Sequence, residues 1–411
     1  MPAAAFDLEA DDLFDLRWHA DGPPHALFAR LRREAPVRWN ALPDGTGCWT
    51  VLGHAEVAAI SRDHERFSSF ERGIFLHPDQ VVPLDLSRNL LLYMDPPQHT
   101  KYRLVLQKAF VPRTVNALEG AIRARVTRVL DRVVEQGRCD FVDDVAVPVP
   151  LGVLTELMGV PEEDIPRFYA WTEEIEAAQR SPEPGAAVEV FGRMAEYLTE
   201  QIARQGAEGR ADSLVTQLRD GRIDDRPLND TEIFVFFALL AFAGNDTTRN
   251  TAATGMLALL EHPDQLAELR DDPSLVPGAV EELLRWTSVV QWFNRTALAD
   301  CEVGGQRIAK GDRVVLWYPS ASRDEAVFDE PQRFDIHRVK PDHDAFGGGG
   351  RHFCLGAGLA RLELRVVFEE VTRRLRDLRL DGEVERVPST WAHGLVHLPV
   401  AFTPGPREGT A

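Results

Sequence analysis

The chain has 411 residues and a strongly acidic balance, since 46 lysines and arginines stand against 65 aspartates and glutamates for a formal net charge of −19 at pH 7. Such a balance argues against a general nucleic-acid binder, whose surface must be basic. The cysteines are few and widely spaced, with no C-x-x-C pair, so they predict no disulfide framework and fit a reducing cytoplasm. They are Cys48, Cys139, Cys301 and Cys354.

Composition along the chain predicts one domain with loosely held ends. Residues 1–22 are acidic and residues 404–411 are rich in proline and glycine, so we expect both segments to fray around a single domain over residues 23–403. The first residues lack the basic region and the apolar run of a signal peptide, and no stretch reaches the roughly 18 apolar residues of a membrane span. We therefore expect a cytoplasmic protein without a membrane anchor.

The first half of the chain alternates helical patterns with turn signals. Residues 37–42 and 48–52 read as strands around a Pro-Asp-Gly hairpin turn. Residues 68–89 have no clear period, which is typical of a binding loop or of a plain surface connection. Helical spacing bounded by prolines and glycines predicts helices over residues 24–33, 55–62, 98–110, 113–135, 151–158 and 162–178. These patterns predict a mainly α fold with small β-sheets.

Two cationic side chains lie at the start of the helix predicted from residue 98. His99 and Arg103 are four positions apart, so they share one face of the helix. Such a pair is either an ordinary solvated face or a pair of donors for a buried anion.

Residues 229–261 form the longest periodic segment. Asn229 with Glu232 predicts a capping box at its start. The apolar run that follows breaks at Gly-Asn-Asp-Thr-Thr, and an acid in a buried helix is costly unless it has a partner. One interpretation is structural, with Thr247 bonded to the Ala243 carbonyl and Asp246 paired with an arginine. The other is that these two side chains take part in chemistry.

The last third of the chain predicts further strands and one helical ion pair. Glu282 and Arg285 are three positions apart, a spacing common in helices. Residues 288–293, 314–318 and 395–402 read as strands, and residues 355–375 read as a helix.

Four consecutive glycines precede Cys354 at the start of that last helix. Glycines let a backbone take positive φ angles and approach a ligand closely, and a helix start favours a thiolate. A thiolate is what a haem iron needs for splitting an O–O bond. The simpler interpretation of a single cysteine is a small buried hydrophobe. A phosphate loop is disfavoured, because neither of its glycine patterns is complete here.

The residues around Cys354 resemble the haem-binding signature of the cytochromes P450, Phe-Gly-x-Gly-x-His-x-Cys-x-Gly. Phe346 lies eight positions before the cysteine, one more than the commonest spacing, so Gly347 occupies the usual aromatic position. Five motifs of the family follow one another in the expected order. The resemblance implies the cytochrome P450 fold and heme b, with iron bound by the Cys354 thiolate and the cofactor contacted by Phe346 and Gly349.

The resemblance also implies roles for other residues. Asp246 and Thr247 are expected to deliver protons and to hold bound O2. The haem propionates are expected to bind His99, Arg103, Arg295 and His352. A structural network is expected among Glu282, Arg285 and Arg333. The residues expected near the substrate are Phe242, Ala243, Val290 and Trp292.

The implied activity is insertion of one oxygen atom of O2 into a C–H bond of a hydrophobic substrate. Electrons are expected from a separate ferredoxin with its ferredoxin reductase, docking near Arg113, Arg361 and Arg365. The sequence looks similar to the bacterial branch that hydroxylates sterols and methyl-branched lipids. The alternative is a natural-product tailoring enzyme, which hydroxylates or oxidatively couples a peptide, polyketide or terpenoid. A non-enzymatic haem sensor is a third possibility, against which the Asp246 and Thr247 pair argues.

Overall fold

The computed structural model describes residue 7 and residues 12–77, 83–180, 185–209, 213–339 and 342–409. The α-helices in these ranges are α1 (His25–Glu34), α2 (His54–Arg62), α3 (Leu84–Ser87), α4 (Gln98–Gln107), α5 (Pro112–Ala117), α6 (Glu119–Asp131), α7 (Pro148–Met158), α8 (Ile165–Arg180), α9 (Val188–Glu208), α10 (Leu214–Arg219), α11 (Asp230–Glu261), α12 (Pro263–Asp271), α13 (Val276–Thr287), α14 (Tyr318–Ala321) and α15 (Ala357–Arg374). The predicted mainly helical fold with small sheets is confirmed.

The strands are short. They are β1 (Val37–Ala41), β2 (Gly47–Val51), β3 (Phe67–Ser68), β4 (Arg138–Asp140), β5 (Arg222–Ile223), β6 (Arg226–Pro227), β7 (Trp292–Ala297), β8 (Cys301–Val303), β9 (Gln306–Ile308), β10 (Arg313–Trp317), β11 (Arg376–Leu380), β12 (Glu385–Arg386), β13 (Leu395–His397) and β14 (Pro399–Thr403). The largest sheet has the order β1-β2-β10-β7-β3, and a second sheet has the order β11-β14-β4. The predicted hairpin is the antiparallel pair β1 and β2.

Helix α11 organises the helical part of the molecule. Its predicted capping box is present, because the Asn229 side chain accepts from the Glu232 N–H and the Glu232 carboxylate accepts from the Asn229 N–H. The helix continues through the polar break without interruption and packs against α7, α13 and α15. It therefore carries Asp246 and Thr247 through the middle of the core.

Three predicted elements have clearly different bounds in the structure. The strand expected over residues 395–402 is divided into β13 and β14, which belong to different sheets. The helix expected over residues 113–135 is divided into α5 and α6 at Leu118. The strand expected over residues 288–293 begins later, as β7, because Ser288 takes a left-handed conformation (φ 36°) that ends α13. Val290 forms only an isolated bridge to Ala392. No proline or glycine lies beside Ser288 in the sequence, whereas Gly120 follows Leu118 by two residues.

The two segments expected to fray make specific contacts where the structure describes them. Leu13 is fully buried and its N–H donates to Asn40 Oδ1 at 2.9 Å. Near the other end, the N–H groups of Glu408 and Gly409 donate to the Asp131 carboxylate. The first segment is acidic overall, but a few of its apolar side chains pack beneath the large sheet and hold it in place. Among the described residues, no helix combines the length and the apolar character that crossing a bilayer requires.

Candidate active site

The glycine run before the cysteine is held against helix α2. All four residues from Gly347 to Gly350 have positive φ angles, of 95°, 60°, 85° and 75°. A Cβ at Gly348 or at Gly350 would lie less than 3.0 Å from Ser61, closer than real Cβ atoms approach. The sequence suggested that these glycines admit a ligand, but the close neighbour of both is the end of α2. Glycine is required here because the backbone is left-handed and because another backbone lies directly against it.

Cys354 lies between this run and α15, in concave surroundings. The residue retains accessible surface, yet the surrounding protein makes burial the largest influence on its pKa, which is raised. The N–H groups of Gly356 and Ala357 and the charges of Arg103 and Arg361 act in the opposite direction. The helix start thus favours the thiolate as expected, but burial outweighs it in the protein alone. A cation bound to the sulfur would reverse that balance, because a coordinating thiol loses its proton.

Phe346 is close to the cysteine despite the extra residue in the motif. Its carbonyl oxygen accepts a hydrogen bond from the Cys354 N–H at 3.1 Å. Its ring meets the Phe353 ring edge-on with centroids 6.1 Å apart, and the Arg361 guanidinium lies over it at 4.6 Å. Gly349, the other residue expected at the cofactor, belongs to the run that packs on α2, where an added Cβ would meet the Arg62 side chain at 3.2 Å.

Four cationic or N–H donor side chains expected to bind one anion come from three parts of the fold. His99 and Arg103 lie on α4, Arg295 on β7 and His352 beside the cysteine. The His99 and His352 ring centroids are 4.3 Å apart. Arg103 also ties α4 to the cysteine segment, because its Nη2 donates to the Phe353 carbonyl at 2.7 Å.

The electrostatics of these donors suit a negatively charged ligand. Burial, followed by the charges of Arg103, Arg351 and Arg295, lowers the His99 pKa to about 4. Burial and the charges of Arg295, His99 and Arg103 hold the His352 pKa well below its usual value. The buried His99 Nδ1 has no hydrogen-bond partner among the described residues. Carboxylates placed here would supply both the missing acceptor and the missing negative charge, so the donor set fits haem propionates.

The middle of α11 contains residues that keep accessible surface although the helix runs through the core. Phe242, Ala243, Gly244 and Thr247 are all at least partly exposed, whereas most of their neighbours on the helix are buried. An added Cβ at Gly244 would meet only the Leu154 side chain, at 3.9 Å. Thr247 Oγ1 donates to the Ala243 carbonyl at 2.8 Å. This face of the helix therefore lines open space.

Asp246 has the arginine partner that the structural interpretation required. Arg249, one turn later on α11, donates to its carboxylate at 2.7 Å, and Asn250 donates to the same oxygen at 2.9 Å. Arg249 also donates to Glu173 on α8 at 2.9 Å, and Glu173 is half exposed. The structure thus joins the buried acid to the surface through one guanidinium, an arrangement compatible with both interpretations.

The ion pair of Glu282 and Arg285 is fully buried, with Nε and Oε2 2.7 Å apart. Arg285 donates to the carbonyl oxygens of Pro331 and Arg333, at 3.0 and 3.2 Å. The expectation that the Arg333 side chain belongs to this network is wrong, because that side chain is exposed and pairs with Glu330. The third charged group is instead Arg338, whose Nε donates to Glu282 at 3.1 Å. The chain turn after Arg333 brings Arg338 inward, which local spacing could not predict.

An aromatic cluster forms one wall beside α11. Trp391, which the sequence analysis did not select, stacks on Phe242 with centroids 6.4 Å apart. Phe75 and Phe293 meet the same indole at 5.4 and 6.2 Å. The only feature of the sequence that could have indicated a role for Trp391 is its place as a large apolar residue among the mostly polar residues that precede β13. Helix α11, strand β7 and two loops contribute one ring each.

Trp292 and Val290, both expected near the substrate, differ in their surroundings. Trp292 is buried in the core beneath the large sheet, where its ring meets Phe14 at 5.3 Å and its Nε1 donates to the Thr390 carbonyl at 2.9 Å. It is a packing residue, as its β-strand position would suggest. Val290 keeps partial exposure beside the aromatic cluster, bridged to Ala392.

Of the three basic residues expected to bind a redox partner, two have ion pairs within the molecule and one has none. Arg361 pairs with Glu281 at 2.6 Å, and Arg365 pairs with Glu119 at 2.7 Å. Their charges are therefore largely satisfied within the molecule. Arg113 is exposed and has no ion pair with the described residues.

Comparisons with known proteins show which family and which solved structures this chain is similar to. The family model described as Cytochrome P450 matches residues 186–401. The steroid C26-monooxygenase of Mycolicibacterium smegmatis is 36% identical over 405 residues, which are 95% of this chain and 93% of that protein. The methyl-branched lipid omega-hydroxylase of Mycobacterium tuberculosis is 36% identical over 98% of this chain and 96% of its own length. The solved structure of Mycobacterium marinum cytochrome P450 CYP268A2 in complex with pseudoionone has a TM-score of 0.88 and 34% identity, covering 97% of this chain and 100% of that one.

Proposed function

The chain belongs to the cytochrome P450 family, and from this premise we propose that it hydroxylates a C–H bond of a steroid or a methyl-branched lipid. It is a haem-dependent monooxygenase of the oxidoreductase class that acts on hydrophobic substrates. The observation that carries the narrower proposal is the aromatic wall of Phe75, Phe242, Phe293 and Trp391. A wall of rings suits a bulky apolar skeleton, and two similar proteins are named for steroid and branched-lipid oxidation.

We assign the haem contacts to the residues that the donor chemistry favours. Cys354 would bind the iron, and His99, Arg103, Arg295 and His352 would bind the propionates. When bound, haem supplies the activation of O2 and the oxidation of the C–H bond. The chain supplies the thiolate, through the N–H groups at the start of α15, and the cations that neutralise the propionates. Both are needed because a charged cofactor in a buried site requires charged partners.

The proposed proton supply uses Thr247 and Asp246. The Thr247 O–H is engaged by the Ala243 carbonyl, which leaves the lone pairs of Oγ1 free to accept from a water or from a ligand in the open space beside Gly244. Asp246 would take protons from the surface side, where Arg249 links it to Glu173. In this proposal Arg249 positions the carboxylate and does not itself transfer protons, since a guanidinium stays protonated.

A ferredoxin with its reductase is the proposed electron source. Arg103 and Phe353 mark the face where α4 meets the cysteine segment. Around them lie exposed apolar and basic side chains, an arrangement that fits a small acidic partner. They are Leu104, Lys108, Val111, Arg113 and Arg351, and Phe353 itself is exposed. We expect Lys108→Gln with Arg113→Gln to lower ferredoxin-supported turnover roughly tenfold at low salt. Arg307→Gln, at an exposed position on β9, is the control and should change nothing.

The decisive test of the cofactor assignment is the absorption spectrum of the reduced protein with CO. A thiolate ligand gives a red-shifted Soret band that a histidine ligand does not. We expect this band in the wild-type protein and its loss in Cys354→Ala. A pigment unchanged by Cys354→Ala would refute the assignment.

A ligand screen tests the substrate class. Steroids and methyl-branched fatty acids should shift the haem from low to high spin, with Trp391→Ala weakening their binding about tenfold because a ring of the wall is lost. Trp39→Ala, at an exposed position on β1, is the matched control. Response only to polar aromatic compounds or to peptide or polyketide substrates would favour the natural-product tailoring alternative.

A further inference from the structure

A cavity between α6 and the region where α7 and α8 approach it has an arginine-rich lining, and none of its lining residues is assigned to the haem. Its volume is about 190 Å³, and three of its lining residues are Arg125, Arg128 and Arg132. They are spaced by three and four positions, so they lie along one face at the end of α6. The cavity also contains one acidic side chain, Glu162.

The charges in this cavity do not balance. Arg125 Nη1 donates to Glu162 Oε1 at 3.0 Å, and the Arg128 guanidinium lies 3.9 Å from the same oxygen. Arg132 has no ion pair with the described residues. One carboxylate oxygen therefore serves two arginines while a third is unpaired, which leaves an excess of two positive charges in a protein whose net charge is −19. Excess cations gathered in one cavity are the pattern of an anion site.

The Arg125 side chain is buried and fixed in the wall of the cavity. The residue is 7% exposed, and its buried Nε has no hydrogen-bond partner among the described residues. Its guanidinium lies against the backbone of Gly152 on α7, so closely that an added Cβ there would clash with it. The planar group is thus held in position between α7 and Glu162. A fixed guanidinium fork is suited to binding two oxygens of one oxyanion.

From these observations we infer that the cavity binds a phosphate group, either the free ion or a phosphate monoester. Arg125 would supply the fixed fork, and the exposed Arg128 and Arg132 would close over the remaining oxygens. Glu162 is half exposed, so it can turn toward solvent when the anion enters. Asp164, two residues later, accepts a hydrogen bond from the Tyr197 hydroxyl at 2.7 Å, so it does not compete with the anion for the arginines of the cavity.

Calorimetric titration of the holoenzyme at constant ionic strength tests this inference. The ligands are inorganic phosphate and glycerol 3-phosphate, with chloride as the balancing anion. We expect saturable binding at one site, weakened at least about tenfold in Arg132→Gln and strengthened in Glu162→Gln. Arg307→Gln, on β9, should bind as the wild type does. Tighter binding of glycerol 3-phosphate than of phosphate would identify a monoester as the ligand, and the reverse order would identify the free ion.

Gly152→Ala supplies a second test, because its methyl group would displace the Arg125 guanidinium without removing any charge. Phosphate binding should weaken in this variant while the cofactor spectrum stays that of the wild type. The inference is overturned if the wild type shows no saturable binding, or if Arg132→Gln and Arg307→Gln bind phosphate equally.

Discussion

The Asp246 carboxylate accepts a hydrogen bond at 2.7 Å from the Arg249 guanidinium, one turn further along the same buried helix. Both side chains are almost fully enclosed, whereas the other partner of Arg249, Glu173, is half exposed. The pair therefore places a carboxylate and a guanidinium in the core, and Arg249 connects the carboxylate to the surface through Glu173. The proposed proton delivery and the stability of the fold therefore lead to different expectations for Asp246 and Arg249.

Asp246→Asn should lower turnover about a hundredfold, because a general acid that relays protons contributes effects of that size. Arg249→Gln should instead act mainly on stability, with a loss of roughly 3–5 kcal/mol, since it leaves a buried carboxylate without its cation. Product formation per electron consumed and urea unfolding measure the two effects. Glu173→Gln is the control and should change the free energy of unfolding by less than about 1 kcal/mol. Equal turnover of wild type and Asp246→Asn would remove Asp246 from the mechanism.

Gly350→Ala should destabilise the protein by roughly 2–4 kcal/mol, because the methyl group would clash with the Ser61 backbone and alanine is strained at a φ of 75°. Gly120→Ala, in α6 with nothing within 4 Å of the added Cβ, should be neutral or slightly stabilising. Thermal unfolding of both variants measures the difference. A stable Gly350→Ala protein would show that the glycine run is not constrained by α2.

The network around Glu282 predicts how three substitutions rank by the free energy of unfolding that each of them costs. Glu282→Gln should cost about 3–5 kcal/mol, because Arg285 would be left buried without its counter-charge. Arg338→Gln should cost less, since Glu282 keeps its pair with Arg285 and the bonds that Arg338 loses besides the one to Glu282 are to backbone carbonyl oxygens. Arg333→Gln should cost under about 1 kcal/mol, as its pair with Glu330 is exposed. Denaturant unfolding would contradict this order if Arg333→Gln proved as damaging as Arg338→Gln.

Glu232 makes the free energy of unfolding depend on pH in the acidic range. Arg226, which donates to both of its carboxylate oxygens at 2.6 and 2.8 Å, is the main cause that lowers the Glu232 pKa to about 2, and the Tyr102 hydroxyl assists. Since the folded pKa lies below the unfolded value, this stabilisation is complete above about pH 4.5 and is lost as the pH falls toward 2. The stability difference between wild type and Glu232→Gln should therefore shrink over that range.

Unfolding midpoints measured between pH 6 and pH 3 check the Glu232 prediction. Glu302→Gln, at an exposed position on β8, serves as the control, and its difference from the wild type should stay small throughout. A gap between wild type and Glu232→Gln that remains constant with pH would mean that Glu232 titrates alike in the folded and unfolded states.

The sequence by itself determined the hairpin of β1 and β2, the capping box at Asn229 and the placement of Cys354 just before a helix. Each of these depends on chemistry between residues a few positions apart, which periodicity, caps and turn residues record directly. The motif order, from His99 to Cys354, likewise identified the family before any contact was known.

Only the tertiary structure decided which residues meet across the fold. It placed Ser61 against Gly350, selected Arg338 over Arg333 as the partner of Glu282, and brought Trp391 onto Phe242. It also buried Trp292 in the core beneath the large sheet instead of exposing it beside α11. These contacts join segments that are distant in the chain, and their geometry depends on how helices and strands pack, for which local spacing carries no signal.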